Sequence, residues 1–383
     1  MGQTLQLVDA DAHVNPPATF WDDYLPARFA GRGPRIEEGA PSETHDWVVF
    51  EGSRKPLNLL SSVVGQGRNF KPVGRRSDVL VGNFEPAARL DDMEKDGVDT
   101  AVLYGGGPLG TADNDLYIAS FEAYNRWLAD FCKYNPKRLV GVAYLPMQDI
   151  DQSIAMLKDA AKRGLKGVNI PAFPQSTKAS GGGGFAAQVL ALTGDPEGPL
   201  QYDDPEFDRF WKACVDHDMA VTIHLGARIA RPGMNRFLPN LVMSKVCMAE
   251  PISIMIFGGV FERFPQLRYG SIESGVGWMS WMAQYMDDIY DNQHHWLQLE
   301  LKNRPSFYMD QNVYGSFIRD PIGVKNRDLP GGRNIMWSTD YPHSETTWPD
   351  SQKNLDRHFK GLSQDEMRPI VRDNALKFYG LGA

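Results

Sequence analysis

Short apolar runs rich in β-branched and aromatic residues alternate with longer stretches of helical period almost throughout the chain. That alternation is the pattern of βαβ units feeding a parallel sheet. Eight runs predict strands: Leu7–His13, Thr100–Gly105, Leu139–Pro146, Gly167–Pro171, Ala220–Gly226, Leu267–Ser274, Ser306–Gln311 and Asn334–Asp340. Between them, Asn114–Tyr134, Ile150–Arg163, Pro205–His217, Lys245–Phe264 and Gly277–Trp296 repeat apolar residues at helical spacing. Pro136 and Gly164 stand just past two of these stretches, where helices stop. A last amphipathic stretch, I-V-R-D-N-A-L-K-F-Y-G-L, reads as a closing helix ended by Gly380. Eight β/α pairs in series predict an α/β fold, a (β/α)8 TIM-type barrel. No G-x-G-x-x-G follows the first strand, which removes the dinucleotide signal of a doubly wound sheet.

Two segments break the repeat. Residues 31–86 are rich in Gly, Pro and Arg, and within them D-W-V-V-F-E-G-S-R-K predicts a hairpin; residues 172–204 carry the run Gly181–Gly184. Both follow C-terminal ends of predicted strands, the catalytic face of such a barrel, so both are expected to be lid or dimer-contact segments of one domain spanning residues 1–383.

Composition narrows the class. The chain has 383 residues, 42% apolar and 23% charged, which suits an enzyme-sized globular protein. A net charge of −8 argues against nucleic acid or an anionic membrane surface as partner. Cys132, Cys214 and Cys247 are odd in number and lack C-x-x-C spacing, so a disulfide framework and a thiolate metal site are both disfavoured. No apolar run is expected to cross a membrane, no basic region followed by an apolar one opens the chain, and the expected location is cytoplasmic.

The candidate chemistry begins in the first strand, L-V-D-A-D-A-H. Strand alternation places Asp9, Asp11 and His13 on one face, and buried carboxylates beside an imidazole call for a compensating cation. Of the eight histidines, His217, His358, His294 and His295 sit in or at the ends of helical patterns and read as surface or capping residues, while His45 lies in the first insertion and could reach a site on a moving lid. His13, His224 and His343 fall at or just past C-terminal ends of predicted strands, as do Glu273 in Y-G-S-I-E-S-G and Asp340 in S-T-D-Y-P-H. Each has a plain structural reading, His224 as a core histidine and Glu273 or Asp340 as a helix cap. Together they end strands one, five, six and eight, which a barrel brings to one mouth. Two imidazoles with two carboxylates make a zinc, manganese or iron set with room for water. Asp11 and Asp340 would neutralise the ion. Glu273 then brings a further negative charge, as a ligand, a proton shuttle or the partner of a cation. Asp9 lies deeper and reads as a structural acid.

D-A-H on the first strand, His224 on the fifth and S-T-D-Y-P-H on the eighth resemble the amidohydrolase superfamily, and more narrowly the branch that holds aminocarboxymuconate-semialdehyde decarboxylase and γ-resorcylate decarboxylase. The likeness runs to the N-A-L-K-F-Y-G-L ending. It implies a (β/α)8 barrel holding one divalent ion, zinc first with manganese or iron as alternatives, on Asp11, His13, His224 and Asp340, in a homodimer. The resemblance departs in two places. D-x-H stands where H-x-H or E-x-H is common, and Glu273 stands where those decarboxylases carry a histidine. A carboxylate cannot supply imidazolium charge, and His343 is the residue placed to take that role.

These residues point to metal-assisted C–C cleavage, most simply nonoxidative decarboxylation of an aromatic or unsaturated carboxylic acid, with Asp340, Glu273 and His343 as catalytic groups. The alternative is hydrolysis of an amide, imide, lactone or C–C bond, with Asp340 as general base. A barrel that binds a ligand without turnover is the third reading. In the lid segments, Trp47, Phe50, Phe70 and Phe173 are candidates for lining a pocket, and Arg54, Lys55, Arg68, Arg75 and Arg76 for clamping a carboxylate.

Overall fold

In the computed structural model, residues 5–64, 69–105, 107–174, 200–225 and 236–382 are described. Eight parallel strands follow one another in sheet order: β1 Val8–Val14, β2 Thr100–Gly105, β3 Leu139–Tyr144, β4 Gly167–Ile170, β5 Ala220–His224, β6 Tyr269–Ile272, β7 Val313–Phe317 and β8 Ile335–Trp337. Backbone bonds from Asp340 N to Asp11 O (3.0 Å) and from His13 N to Tyr341 O (2.5 Å) join the segment after β8 to β1 and close the ring. The fold is the expected (β/α)8 barrel.

The helices around it include α1 Pro86–Asp96, α2 Asn114–Cys132, α3 Ile150–Lys162, α4 Asp208–Asp216, α5 Phe237–Val246, α6 Ala249–Phe257, α7 Gly277–Leu297 and α8 Pro305–Asn312. Inside the ring, Val8, Ala10, Val102, Tyr104, Val140 and Val142 pack on Phe378 and Tyr379, which the closing helix Asn374–Phe378 brings beneath the strands. The Tyr379 hydroxyl donates to Ala10 O at 3.0 Å, satisfying itself within that plug.

Three sequence expectations need correction. Ser306–Gln311 is helix, not strand: Pro305 occupies the first helical position, and Tyr308, Met309 and Asn312 recur on the buried side. The seventh strand is the next run, V-Y-G-S-F. Lys245–Phe264 is not one helix, because Gly258 and Gly259, the latter at φ 69°, end α6 and Cys247–Met248 separate it from α5. The stretch Phe237–Phe257, 21 residues long, does have the length and composition of a membrane span, against expectation. It is nonetheless two helices, and α6 sends Ile252, Met255 and Ile256 into the barrel core.

Residues 31–86 form the expected hairpin, Trp47–Phe50 with Ser53–Pro56, and add Arg35–Glu37 as a third antiparallel strand. Ser344 N donates to Leu60 O (3.1 Å) and Asn15 Nδ2 to Ser61 O (2.6 Å), which ties this segment to the chain just after β8 and β1. Most of the 172–204 insertion, including Gly181–Gly184, lies outside the described residues.

Candidate metal centre

The first strand does not alternate cleanly. Its pairing with β2 slips between Asp9 and Ala12, a β-bulge that reverses which residues face inward. Val8 and Ala10 belong to the interior cluster, whereas Ala12 and Val14 pack outward with the helices. Asp9 therefore does not share a face with Asp11 and His13. It points outward between β1 and β8, where its carboxylate accepts bonds from Thr339 N (2.9 Å) and the Thr339 hydroxyl. Asp9 is a buried structural acid, and burial pushes its pKa up to about 7.

Beyond the bulge, Asp11 and His13 face the mouth, and the ends of β5, β6 and β8 bring His224, Glu273 and Asp340 to them. Asp11 Oδ1 lies 3.3 Å from His13 Nε2 and 3.2 Å from His224 Nε2, and Asp340 Oδ1 is 3.3 Å from His13 Nε2. Glu273 Oε2 is 3.6 Å from His224 Nε2. His343 joins the group, with Nδ1 2.9 Å from Asp340 Oδ1. Ligand atoms of Asp11, His13, His224 and Glu273 all lie within 4.8 Å of one another, as do those of His13, Glu273, Asp340 and His343. All six candidate residues thus converge on one mouth. His45 is not in either group; its ring packs on Trp47, 4.6 Å away.

The plain structural readings fail for two of the acids. Asp320 caps α7, its Oδ2 accepting from Val276 N and Gly277 N at 2.7 Å each, so Glu273 has no capping duty. Asp340 precedes no helix until Ser351. Both acids instead hold backbone at positive φ, 58° for Glu273 and 56° for Asp340, a conformation that non-glycine residues rarely adopt outside constrained sites. Ser316 Oγ fixes the Glu273 backbone by accepting from its N–H at 2.8 Å.

The donor set fits a divalent cation. Asp11 Oδ2, His13 Nε2, Glu273 Oε2 and both Asp340 oxygens are buried and make no hydrogen bond. Buried anionic oxygens without donors are costly, and a metal ion is the group that satisfies several at once. The electrostatics agree. Burial raises Asp11, yet the neighbouring His224 and His13 outweigh it and hold the carboxyl well below the usual range. Burial lowers His13, but Asp11 and Asp340 push it up to about 10. Protons on imidazoles are thus the only positive charge the cluster itself can offer. Glu273 moves the other way: burial first, then the charges of Asp340 and Asp11, raise its carboxyl well above the ordinary glutamate range.

Sequence reasoning missed Lys245 and Arg89. Lys245, in the last turn of α5, places Nζ 3.8 Å from Glu273 Oε1 and 3.6 Å from Glu345 Oε2. A lone cation inside the apolar stretch L-V-M-S-K-V-C-M was the available signal. Arg89, on α1 and 1% exposed, donates to His13 O at 2.9 Å. The aromatics of the two insertions pack elsewhere: Phe50 and Phe173 on the main core, Phe70 on a satellite cluster, and Trp47 under Arg54. Arg75 is bound to Asp46 and Arg54 to Glu37, while Arg68 lies outside the described residues.

A family model described as amidohydrolase matches residues 8–381. The chain is 25% identical over 311 residues to the 2-amino-3-carboxymuconate-6-semialdehyde decarboxylase of Dictyostelium discoideum, covering 78% of this chain and 77% of that protein. It is 24% identical over 316 residues to the γ-resorcylate decarboxylase of Rhodococcus jostii (strain RHA1), covering 76% and 87%. Among solved structures, an amidohydrolase from Mycobacterium avium subsp. paratuberculosis K-10 superimposes with a TM-score of 0.72 at 20% identity, over 99% of this chain and 100% of that one. The 5-carboxyvanillate decarboxylase of Novosphingobium aromaticivorans DSM 12444, with bound manganese and 3-methoxy-4-hydroxy-5-nitrobenzoic acid, gives a TM-score of 0.66 at 16% identity over 99% and 98%. These likenesses show a shared barrel.

Proposed function

Given that the chain belongs to the amidohydrolase family, we propose that it is a metal-dependent lyase that removes the carboxyl group of an aromatic or unsaturated carboxylic acid without oxidation. The observation that carries this reading is the set of buried, unbonded carboxylate and imidazole atoms at β1, β6 and β8, with His224 from the end of β5 grouped beside them. The decarboxylase names of the relatives, on aminocarboxymuconate semialdehyde and on resorcylate, support the reaction class.

In this proposal Asp11, His13, His224 and Asp340 hold one divalent ion. Manganese in the carboxyvanillate decarboxylase stands beside zinc as a candidate, with iron a further one. The ion, when bound, would act as a Lewis acid toward the oxygens of the substrate acid. Glu273 is the proton donor. Burial and the neighbouring acids raise its carboxyl well above the ordinary glutamate range, the direction that suits a proton donor in a dry site. The C–C bond to the carboxyl group breaks, its electron pair stays on the substrate carbon, and the proton from Glu273 Oε2 takes the vacated position as carbon dioxide leaves. Glu273 is then reprotonated from solvent. His343, held by Asp340, supplies the imidazole that a carboxylate at position 273 cannot. Residues 31–86 serve as lid or contact between copies in a homodimer.

The test is turnover of a panel of hydroxybenzoic and unsaturated acids by the metal-loaded protein in heavy water and in 18O-labelled water. Carbon dioxide release with one solvent deuteron at the vacated carbon is expected. Labelled oxygen in the product would establish hydrolysis instead, and a carefully purified protein without stoichiometric metal would overturn both.

A further inference from the structure

Beside the metal cluster, with Glu273 common to both, lies a cavity of about 310 Å3, whose walls include Lys245, Phe317, Ile318, Arg319 and Glu345. Glu273 is the shared wall. One of its oxygens faces His224, and the other faces Lys245. The volume sits at the low end of small-ligand sites, roughly 300–1,000 Å3, and suits a single ring with small substituents.

Two cations from separate elements border this space. Lys245 comes from α5 and Arg319 from the turn after β7. The Lys245 ammonium is 3.6 and 3.8 Å from its nearest carboxylate oxygens, beyond hydrogen-bond length, so among the described residues its three donors are unfilled. Arg319 donates to the carbonyls of Glu345 (2.8 Å) and Thr346 (3.1 Å), which fixes the guanidinium at the rim, yet among the described residues no carboxylate lies within ion-pair distance of it. Glu345 is 43% exposed, so water screens its charge and it can swing aside. Phe317 and Ile318 add apolar wall between the cations.

We propose that Lys245 and Arg319 form an anion subsite, so that the substrate is a dianionic single-ring acid: one acidic group at the metal cluster, and a second carboxylate or phenolate across the ring between these two cations. This rests on the reading of the site as a metal-dependent decarboxylase and adds its substrate class. Lys245 is a specificity-determining residue that touches the part of the substrate that does not react.

The test is calorimetric binding of isophthalate and benzoate to the manganese-loaded protein, with the chelated protein as control. Isophthalate is expected to bind roughly tenfold or more tightly than benzoate, the scale of a hydrogen bond to a charged group. Lys245→Met should lower the ratio several-fold, Arg319 still contributing, while benzoate binding keeps its dependence on the metal. Glu345→Gln, which removes a competing acid at the rim, should raise the ratio. A ratio that Lys245→Met and Glu345→Gln both leave unchanged overturns the subsite, while metal-dependent benzoate binding would leave the reading of the metal centre standing. Binding that chelation does not alter, or no binding of either acid, overturns that reading as well.

Discussion

The imidazole of His343 lies face to face with that of His13, ring centroids 3.8 Å apart and planes 24° apart. Its Nδ1 at the same time contacts Asp340 Oδ1. The contact with Asp340 orients the ring, and burial together with the nearby His13 lowers the His343 pKa and favours the neutral imidazole. One side chain is thus oriented by one proposed ligand and stacked on another.

His343→Ala is expected to lower kcat by about 10²–10⁴, the range of a positioned acid or base, with metal stoichiometry retained. Turnover and elemental analysis on the same preparation decide it. Full turnover would remove His343 from the mechanism, and loss of the metal would make it a ligand instead.

Metal removal should make stability depend on pH through His13. Burial works against its charge, but Asp11 and Asp340 raise its pKa from 6.5 to about 10. In the chelated protein the stabilising proton is fully present below 6.5 and is lost as pH rises through 10. Urea unfolding should therefore show the chelated chain weakening across that interval. The loaded protein should resist, since an ion at a hundred times its Kd adds about 2.7 kcal/mol. Because the ion must displace this proton, apparent metal affinity should climb with pH over the same window. An affinity that is flat in pH would show that His13 does not ligate.

The barrel was legible because βα alternation survives in the apolar pattern, and the mouth because Asp11 and His13 lie in the second half of β1, His224 ends β5, and Glu273 and Asp340 follow β6 and β8. What failed, failed locally. Asp9 seemed to share a face with Asp11 because alternation assumes a regular strand, and nothing in V-D-A-D-A-H announces the bulge. Aromatic S-F-Y-M looked like strand, although Pro305 marked a helix start. Lys245 reaches Glu273 from a helix 28 positions earlier in the chain, a contact set by how α5 packs across the ends of β5 and β6 rather than by any local pattern.

Glu273→Gln separates the roles left open for that acid. Gln keeps the shape but cannot release a proton, so kcat should fall by about 10²–10⁴ while the ion stays bound. The folded-state pKa of Glu273 lies above its ordinary value, so the charged form weakens the fold as pH rises past that value. The Gln variant of the chelated protein should accordingly unfold at equal or higher urea concentration than the parent at neutral pH. Unchanged kcat would sink Glu273 as donor, and loss of metal would make it a ligand.

Arg89 offers the sharpest test of how the scaffold supports the site. It is buried, donates to His13 O, and its guanidinium carbon sits 4.2 Å from the ring centroid of Tyr341, whose hydroxyl bonds Asp92. Replacing it with Met fills similar volume but leaves the His13 carbonyl without this donor and the nearby Asp9 and Asp92 without their buried cation. Removing one partner from a buried charged set costs about 3–5 kcal/mol, read as a lower urea midpoint. Because His13 is anchored through that carbonyl, metal affinity should also fall by about 10–100-fold, the scale of lost outer-shell support. Arg89→Lys should recover part of the stability through charge, but not the metal affinity, since an ammonium lacks the planar fork that reaches the carbonyl while stacking on Tyr341. If the Met variant unfolds earlier yet binds the ion as tightly as the parent, Arg89 serves the fold and not the position of His13.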